Sequence, residues 1–520
     1  MDKKQEIVKK LKIQNTKTLI KNSFFINRLN WLVWLVPTVV VSFLLLFRLS
    51  DVAGLHRDEA ALGLFAESIQ NGLRPVCGYF NLYTAPIHSY IIAIFFSFFG
   101  KSIWSLRFST VLPILFSLWI YADLIRRLLP NAALWAFWFL ITMPAFIVQS
   151  RISFESFALS PLFLFGGIWS FYVLGLKKQI WISKTGYGIS GLCFYLAIWN
   201  HIVSFPTVAS VIIVYLIISK TKIIRMLKVL PWFFIGVLIG SIPKLYGVFV
   251  LGYDLIPAYG ERTIPPFTKA FLNMVYTLGS DALYVRACGK ILFSFNWFLP
   301  LCVLLSASIF IYSKVFIKQK RMWLAVALCA ILSFLGTWLI TPAYVMGSRV
   351  WSLPLWFIPL LLSLSLSMSH KWLRIALGTM IIVINITGMS INYFYNFLQD
   401  GGIPKETVYV GGRYDNSWDF IDIRTLVNRL NSYNNRSIYI EDANTARLQF
   451  LLPKSHRNRL QTIQNAIINK ENIRPGSIIA IYKLKNRNIL SYIKVGKATG
   501  IKRDELSTSH YEIFEVIEGT

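Results

Sequence analysis

Residues Pro86–Phe99 read PIHSYIIAIFFSFF, and the topology of the whole chain turns on them. Fourteen residues make about 21 Å of helix at 1.5 Å per residue. A hydrocarbon core is about 30 Å thick. If this run crossed, Arg126 and Arg127 would fall outside and every later basic cluster would invert. The run is therefore expected to be an interfacial or re-entrant helix within a long first outer loop, 50–103.

Working outward, basic clusters mark the inner ends of the apolar runs. They are Arg126/Arg127, Lys177/Lys178, Lys220/Lys222/Arg225/Lys228, Lys314/Lys318/Lys320/Arg321 and His370/Lys371/Arg374. The first 30 residues carry Lys3, Lys4, Lys9, Lys10, Lys12, Lys17, Lys21 and Arg28 against Asp2 and Glu6. Such a tail stays cytoplasmic. Spans are expected near 31–49, 104–125, 132–150, 157–175, 186–203, 205–219, 229–250, 296–313, 323–341, 351–368 and 374–395. That is about 11 transmembrane helices, which leaves residues 396–520 outside. The first apolar run is a full span with no small-residue cleavage site, so no signal peptide is read.

Composition agrees. Of 520 residues, 55% are apolar and 15% charged, where soluble domains carry about 25% charged. So much apolar surface excludes disorder, and five Cys exclude a disulfide scaffold. Residues 1–395 hold 35 basic and 11 acidic residues, whereas 396–520 hold 18 and 13, twice the charge density. The chain thus reads as a polytopic α-helical membrane protein with a small C-terminal α/β soluble domain: a basic tail (1–30), a membrane domain (31–395) and an outer domain (396–520). The net charge of +29 sits in short loops, as the positive-inside rule requires, and no nucleic-acid partner is inferred. In the tail, Asp419–Leu430 has one apolar helical face, while Ser437–Glu441, Ser477–Tyr482 and Tyr511–Ile517 read as strands.

The topology sorts the acids. Residues 31–395 contain Asp51, Asp58, Glu59, Glu67, Asp123, Glu155, Asp254, Glu261 and Asp281, and only Asp123 falls inside. The first outer loop opens His56-Arg57-Asp58-Glu59-Ala60 and leads into an amphipathic helix, Glu59–Ile69, with Ala60, Leu64 and Ile69 inward. Two readings stand for Asp58 and Glu59. They cap a helix N-terminus, or Asp58 is a general base with Glu59 orienting it or binding a divalent cation.

In the second outer loop, Ser150-Arg151-Ile152-Ser153-Phe154-Glu155 places Arg151 and Glu155 four apart, a spacing that pairs them on a helix. Either they form an interfacial salt bridge, or Arg151 meets a phosphate with its planar fork while Glu155 faces the cavity of Asp58. Before the tenth span, Thr341-Pro342-Ala343-Tyr344-Val345-Met346-Gly347-Ser348-Arg349 brings Arg349 to headgroup level. It reads as a lipid anchor or as a clamp on a lipid-linked phosphate. A third outer loop, 251–295, is too long for a plain connector. His56, His88 and His201 lack a close zinc-ligand spacing. Cys77 and Cys288 both fall on outer loops, where a bridge and two free thiols stand open. No Walker A sequence is present.

Taken together, Asp58-Glu59-Ala60, Tyr83-Thr84-Ala85-Pro86-Ile87, Phe99-Gly100-Lys101-Ser102, Ser105-Leu106-Arg107-Phe108, Pro144, Arg151 and Glu155 have a familiar layout. It resembles the bacterial protein mannosyltransferase-like group of the GT-C glycosyltransferases, which includes the aminoarabinose transferases of lipid A. The resemblance covers about residues 30–400 and is strongest over 51–160. It implies an inverting glycosyltransferase of the bacterial inner membrane. Such an enzyme moves a hexosyl or pentosyl group from a polyprenyl-phosphate sugar donor to a periplasmic envelope acceptor: lipid A, lipopolysaccharide, another glycan or protein.

By that resemblance Asp58 and Glu155 are the catalytic acids, and Arg57, Arg151 and Arg349 the candidates for the donor phosphate. Glu59, Tyr83, His88 and Tyr344 line the substrate pocket, with Glu59 a metal candidate. The chain departs from the pattern twice. Glu155 stands where relatives usually have Asp. Thr84-Ala85-Pro86 stands where many have Lys-Pro-Pro, so the phosphate contact passes to the arginines. A transporter or flippase, and an oligosaccharide ligase, are the competing functions. Ionisable groups gathered at one face rather than at mid-membrane favour surface chemistry over transport.

Overall fold

The computed structural model describes most of residues 33–253, then 264–278, 317–341 and 348–395, with short stretches between 303 and 311 and between 409 and 518. It divides into two compact units, residues 1–47 and 48–520. In the first, helix α1 (Val33–Leu46) is apolar and shorter than the expected span 31–49.

In the second unit, α2 (Arg57–Gln70) and α3 (Ile87–Phe99) lie within the expected first outer loop. Both stretches were expected to be helical. Ala60, Leu62, Ala66 and Ile69 of α2 pack with Ile92, Ala93 and Phe96 of α3 in one apolar cluster. The next helix, α4 (Ile103–Leu128), starts at Ser102, whose hydroxyl accepts from the Ser105 amide. Its last turn carries Arg126 and Arg127, both paired with Asp123. Basic residues at a helix C-terminus also offset its macrodipole.

The expected span 132–150 is broken. Helices α5 (Ala133–Thr142) and α6 (Pro144–Ser150) meet at 63°. Met143 between them is extended (φ −63°, ψ 118°), because the ring of a following proline disfavours helical geometry. Pro144 then opens α6, where a missing N–H is harmless. The bend points the end of α6 away from the axis of α5, and the Arg151 segment continues from there.

Next come α7 (Ser160–Trp169), continued by a π turn at Ser170–Gly175, α8 (Ile180–Asn200), α9 (Phe205–Ile218) and α10 (Ile223–Phe249). Between α8 and α10 the backbones touch. A Cβ on Gly191 would lie 2.0 Å from the Phe233 carbonyl oxygen, so only glycine fits there. Small residues at such contacts are how helices associate in lipid, where apolar side chains gain nothing by leaving it.

Helix α11 (Phe267–Leu278) lies inside the expected loop 251–295. Helices α12 (Ile317–Ile340), α13 (Phe357–Ser367) and α14 (Lys371–Met389) come after it, the last continued by a second π turn, Ser390–Tyr395. Among the described residues, four helices are long and apolar enough to cross a bilayer, or five if α5–α6 is one span. The expected run 296–313 falls mostly outside the described residues.

Beyond residue 408 the chain changes character. A short hairpin, β1 (Tyr409–Val410) with β2 (Arg413–Tyr414), precedes a six-stranded mixed sheet ordered β4-β3-β5-β8-β7-β6. Strands β3 (Ile438–Ile440), β4 (Leu460–Thr462) and β5 (Ile478–Tyr482) are parallel neighbours. Strands β6 (Tyr492–Val495), β7 (Ala498–Lys502) and β8 (Tyr511–Glu518) complete it antiparallel. Helix α15 (Thr445–Leu451) is the crossover between β3 and β4. Its Leu448 packs with Leu426, Val427, Leu430, Ile438, Ile478 and Ile513 in a buried core. The three strands expected from alternation are present. The antiparallel pair β6–β7 is additional.

Candidate active site

Helix α2 begins at an unusual cap. His56 is extended (φ −72°, ψ 147°), and its Nδ1 accepts from the Asp58 amide at 3.0 Å. Glu59 completes the box, its Oε2 accepting from the His56 amide at 3.0 Å. A residue offering a side-chain acceptor satisfies the orphan amides of a first turn. Of the two readings of these acids, the cap is present in part: Glu59 accepts from the His56 amide, while the side chain that accepts from the Asp58 amide belongs to His56.

Glu59 is fully buried, and so is Arg107 of α4. The guanidinium grips the carboxylate with two bonds, Nε to Oε1 at 3.0 Å and Nη2 to Oε2 at 2.9 Å. Arg107 Nη1 donates to the Leu49 carbonyl at 3.1 Å. The fourth donor to the carboxylate is the Ser153 amide, 2.8 Å from Oε1. A carboxylate has about four acceptor positions, and here four donors take them. That occupancy revises the expectation for Glu59: it ties elements together rather than facing a pocket or a cation. Among the described residues no group of three His, Cys, Asp or Glu side chains is placed to hold a metal ion.

The Ser153 bond also changes the second loop. Arg151 ends α6 (φ −96°, ψ −6°) and the chain leaves the helix there. The Ser153 amide is spent on Glu59, 94 residues away, not on a preceding carbonyl. Residues 151–154 are therefore not helical, and Glu155, expected to pair with Arg151 on a helix, lies outside the described residues. From Ser153 the network continues inward. Thr110 of α4 donates to the Ser153 hydroxyl at 3.2 Å, and its Oγ1 lies 3.2 Å from His88 Nε2. His88, expected at the substrate pocket, is fully buried.

Asp58 and Arg151 flank this network. The Asp58 side chain is 13% exposed, against none of Glu59. Adjacent acids thus divide, one inward to Arg107 and one toward the surface. Arg151 is fully buried. Its Nη2 donates to the Arg48 carbonyl at 3.4 Å, and its guanidinium lies over the rings of Tyr393 and Phe394 in the second π turn, at 5.9 and 5.4 Å. Burial, with the nearby Arg107 charge, lowers Arg151 from the ordinary guanidinium value, yet arginine stays protonated.

The other expected site residues divide as follows. Tyr83, Glu155 and Tyr344 lie outside the described residues. Arg57 falls in the first turn of α2 and Arg349 in a 3₁₀ turn, Ser348–Trp351, their side chains undescribed. Cys288, the other outer-loop thiol beside Cys77, is also outside. Arg107 belongs to the stretch Ser105–Phe108, where the sequence pattern gives it no separate role. Its signal was present: it is the only charge in α4 before Asp123, and ionisable groups within apolar helices are rarely idle.

The family model for dolichyl-phosphate-mannose-protein mannosyltransferases matches residues 83–246, a segment that holds Arg107, Arg151 and Glu155 and begins after Asp58. No curated protein sequence matches the chain. Among solved structures, ArnT from Cupriavidus metallidurans in the apo state is similar at 12% identity and a TM-score of 0.51, over 92% of this chain and 97% of that one. The same ArnT bound to undecaprenyl phosphate gives the same figures. The arabinofuranosyltransferase AftD from Mycobacteria is similar at 12% identity and a TM-score of 0.49, over 94% of this chain and 40% of that one. The chain therefore has the fold of the GT-C glycosyltransferases and resembles ArnT.

Proposed function

We propose that this protein is an integral-membrane inverting glycosyltransferase that takes a sugar from a polyprenyl-phosphate donor. The observation that carries the reading is the buried set of bonds joining Glu59, Arg107 and the Ser153 amide. It holds the segment bearing Asp58 beside the segment that leads into Glu155. Among the described residues, Glu59 thus ties the start of α2 both to Arg107 of α4 and to Ser153 of the second outer loop. The ArnT bound to undecaprenyl phosphate supports a lipid-phosphate donor.

In this reading, Asp58 accepts the proton of the acceptor hydroxyl as its oxygen attacks C1 of the sugar. The bond from C1 to the phosphate oxygen breaks on the opposite face, and the phosphate leaves with the electron pair. A lipid phosphate is a good leaving group, so the demands are a base and positive charge. Arg151 supplies charge, with Arg57 and Arg349 as further phosphate contacts. Glu155 positions the acceptor, Tyr83 and Tyr344 line the pocket, and Glu59 holds the frame. The topology that goes with it has eleven crossings, a cytoplasmic N-terminus and residues 396–520 as a periplasmic domain. An envelope glycolipid, glycan or protein is the acceptor.

The test compares envelope glycolipids and glycoproteins by mass spectrometry in a deletion strain, the wild type and Asp58→Asn at equal expression. One component should lose a fixed sugar mass in both the deletion and the variant, and purified Asp58→Asn should transfer about 100-fold more slowly or worse. A variant that transfers at the wild-type rate removes Asp58 from the mechanism.

A further inference from the structure

His56 has a neighbour that capping does not require. Its imidazole meets the Phe154 ring edge-on, with centroids 4.8 Å apart and planes at 79°. Phe154 lies next to Ser153, whose amide is on Glu59, and directly before Glu155. The same imidazole holds the Asp58 amide through Nδ1 at 3.0 Å. Because the Nδ1 lone pair takes that N–H, the ring proton sits on Nε2 and the imidazole is neutral. The 3.8 Å approach of Nδ1 to Asp58 Oδ2 is then not an ion pair, and His56 does not neutralise the carboxylate beside it.

We propose that His56 is a positioning residue for the reaction. One edge of its ring fixes the backbone of Asp58, and its contact with Phe154 fixes the spacing between Asp58 and the Ser153–Phe154 backbone. This rests on the function proposed above and deepens it. A cap alone needs only an acceptor, which asparagine supplies as well as histidine. A spacer needs the ring. A misplacement of about 1 Å between reacting groups can cost about 100-fold in rate, so a loosened spacing shows in kcat while donor binding is kept.

The experiment uses the full-length protein in nanodiscs with a polyprenyl-phosphate sugar donor. The variants are His56→Asn, His56→Ala, Phe154→Leu, the His56→Asn/Phe154→Leu pair and Asp58→Asn. Two readouts are taken: transfer kinetics, and hydrogen exchange of amides 58–60, which needs no activity. His56→Asn is expected to keep the protected amides yet lose about tenfold in kcat with donor KM unchanged. Phe154→Leu should match it, and the pair should be no worse than either single variant. His56→Ala should lose the amide protection as well. If His56→Asn keeps full rate while Asp58→Asn is inactive, the positioning role alone falls and His56 is a cap. Additive losses in the pair also overturn it. If Asp58→Asn is as active as wild type, the function reading and this proposal fall together.

Discussion

Helix α2 carries two glutamates two turns apart, and they live in opposite electrostatic regimes. Glu59 is wholly buried, gripped by one fully buried arginine and two backbone amides. Glu67 is 18% exposed and shared by Lys101, at 3.0 Å, and Arg457. The first ion pair joins α2 to α4. The second reaches from α2 and the start of α4 to the chain beyond α15. At that second site Lys101 also lies over the Phe450 ring at 4.7 Å, and the ring fills the notch left by Gly63 on α2. The contrast teaches that equal chemistry on one helix holds differently according to the water around it. A buried charge cannot lose its partner, whereas a half-wet one exchanges its partner for solvent.

The largest effect should come from breaking the buried pair. Arg107→Ala leaves Glu59 buried and uncompensated, with an expected loss of about 3–5 kcal/mol, seen as failure to purify a monodisperse protein in detergent. Arg107→Met with Glu59→Leu should recover part of that loss, since an apolar pair of similar volume needs no counter-charge. Recovery stays incomplete because the amides of His56 and Ser153 lose their acceptor. Full recovery would show that those amide bonds contribute nothing.

A smaller effect is expected at the notch. A Cβ on Gly63 would lie 2.3 Å from Phe450 Cε2, so Gly63→Leu must expel the ring, at about 1–3 kcal/mol. Hydrogen exchange over residues 445–452 should quicken while α4 keeps its protection. Quickening in both would mean that the two regions unfold as one.

The smallest effect belongs to the partly buried Glu67 cluster. Glu67→Gln should cost below about 1 kcal/mol and shrink further in salt. Its pH signature has a definite sign. Burial raises the Glu67 carboxyl, but hydrogen bonds from Arg457 and Lys101 outweigh this and leave it below 4.5. That stability is present above pH 4.5 and fades as pH falls through the lowered value. Burial likewise brings Lys101 down to about 8 from 10.5, although Glu67 opposes it. The folded state then disfavours the ammonium, so stability should rise from about pH 8 to 10.5. Thermal unfolding of wild type against Lys101→Met across that range reads the slope directly. Equal slopes would remove Lys101 as its source.

Legibility in the sequence depends on the range of the forces involved. Helices α2, α3 and α4 and strands β3, β5 and β8 stand where periodicity put them, because burial of one face is a local pattern. Asp58 and Glu59 stood out as acids at a helix start, and Arg151 as a cation at an outer loop. The partition between the two acids was hidden, since it depends on Arg107, 48 residues along, and on an amide 94 residues along. Backbone amides leave no mark in a sequence. The bend at Pro144 was visible as a residue but not as an angle. The two π turns carry no compositional signature at all.

The second of these, Ser390–Tyr395, sets Tyr393 and Phe394 over Arg151. A π turn closes its hydrogen bonds one residue later than an α turn. It is in effect a one-residue insertion absorbed without a loop. Closing it to an ordinary α turn with the same number of residues would turn its end by about 100° and carry the aromatic pair off the guanidinium, whereas deleting the extra residue leaves the flanking register in place. The cover over Arg151 is thus set by the pitch of this turn rather than by any change at the arginine itself.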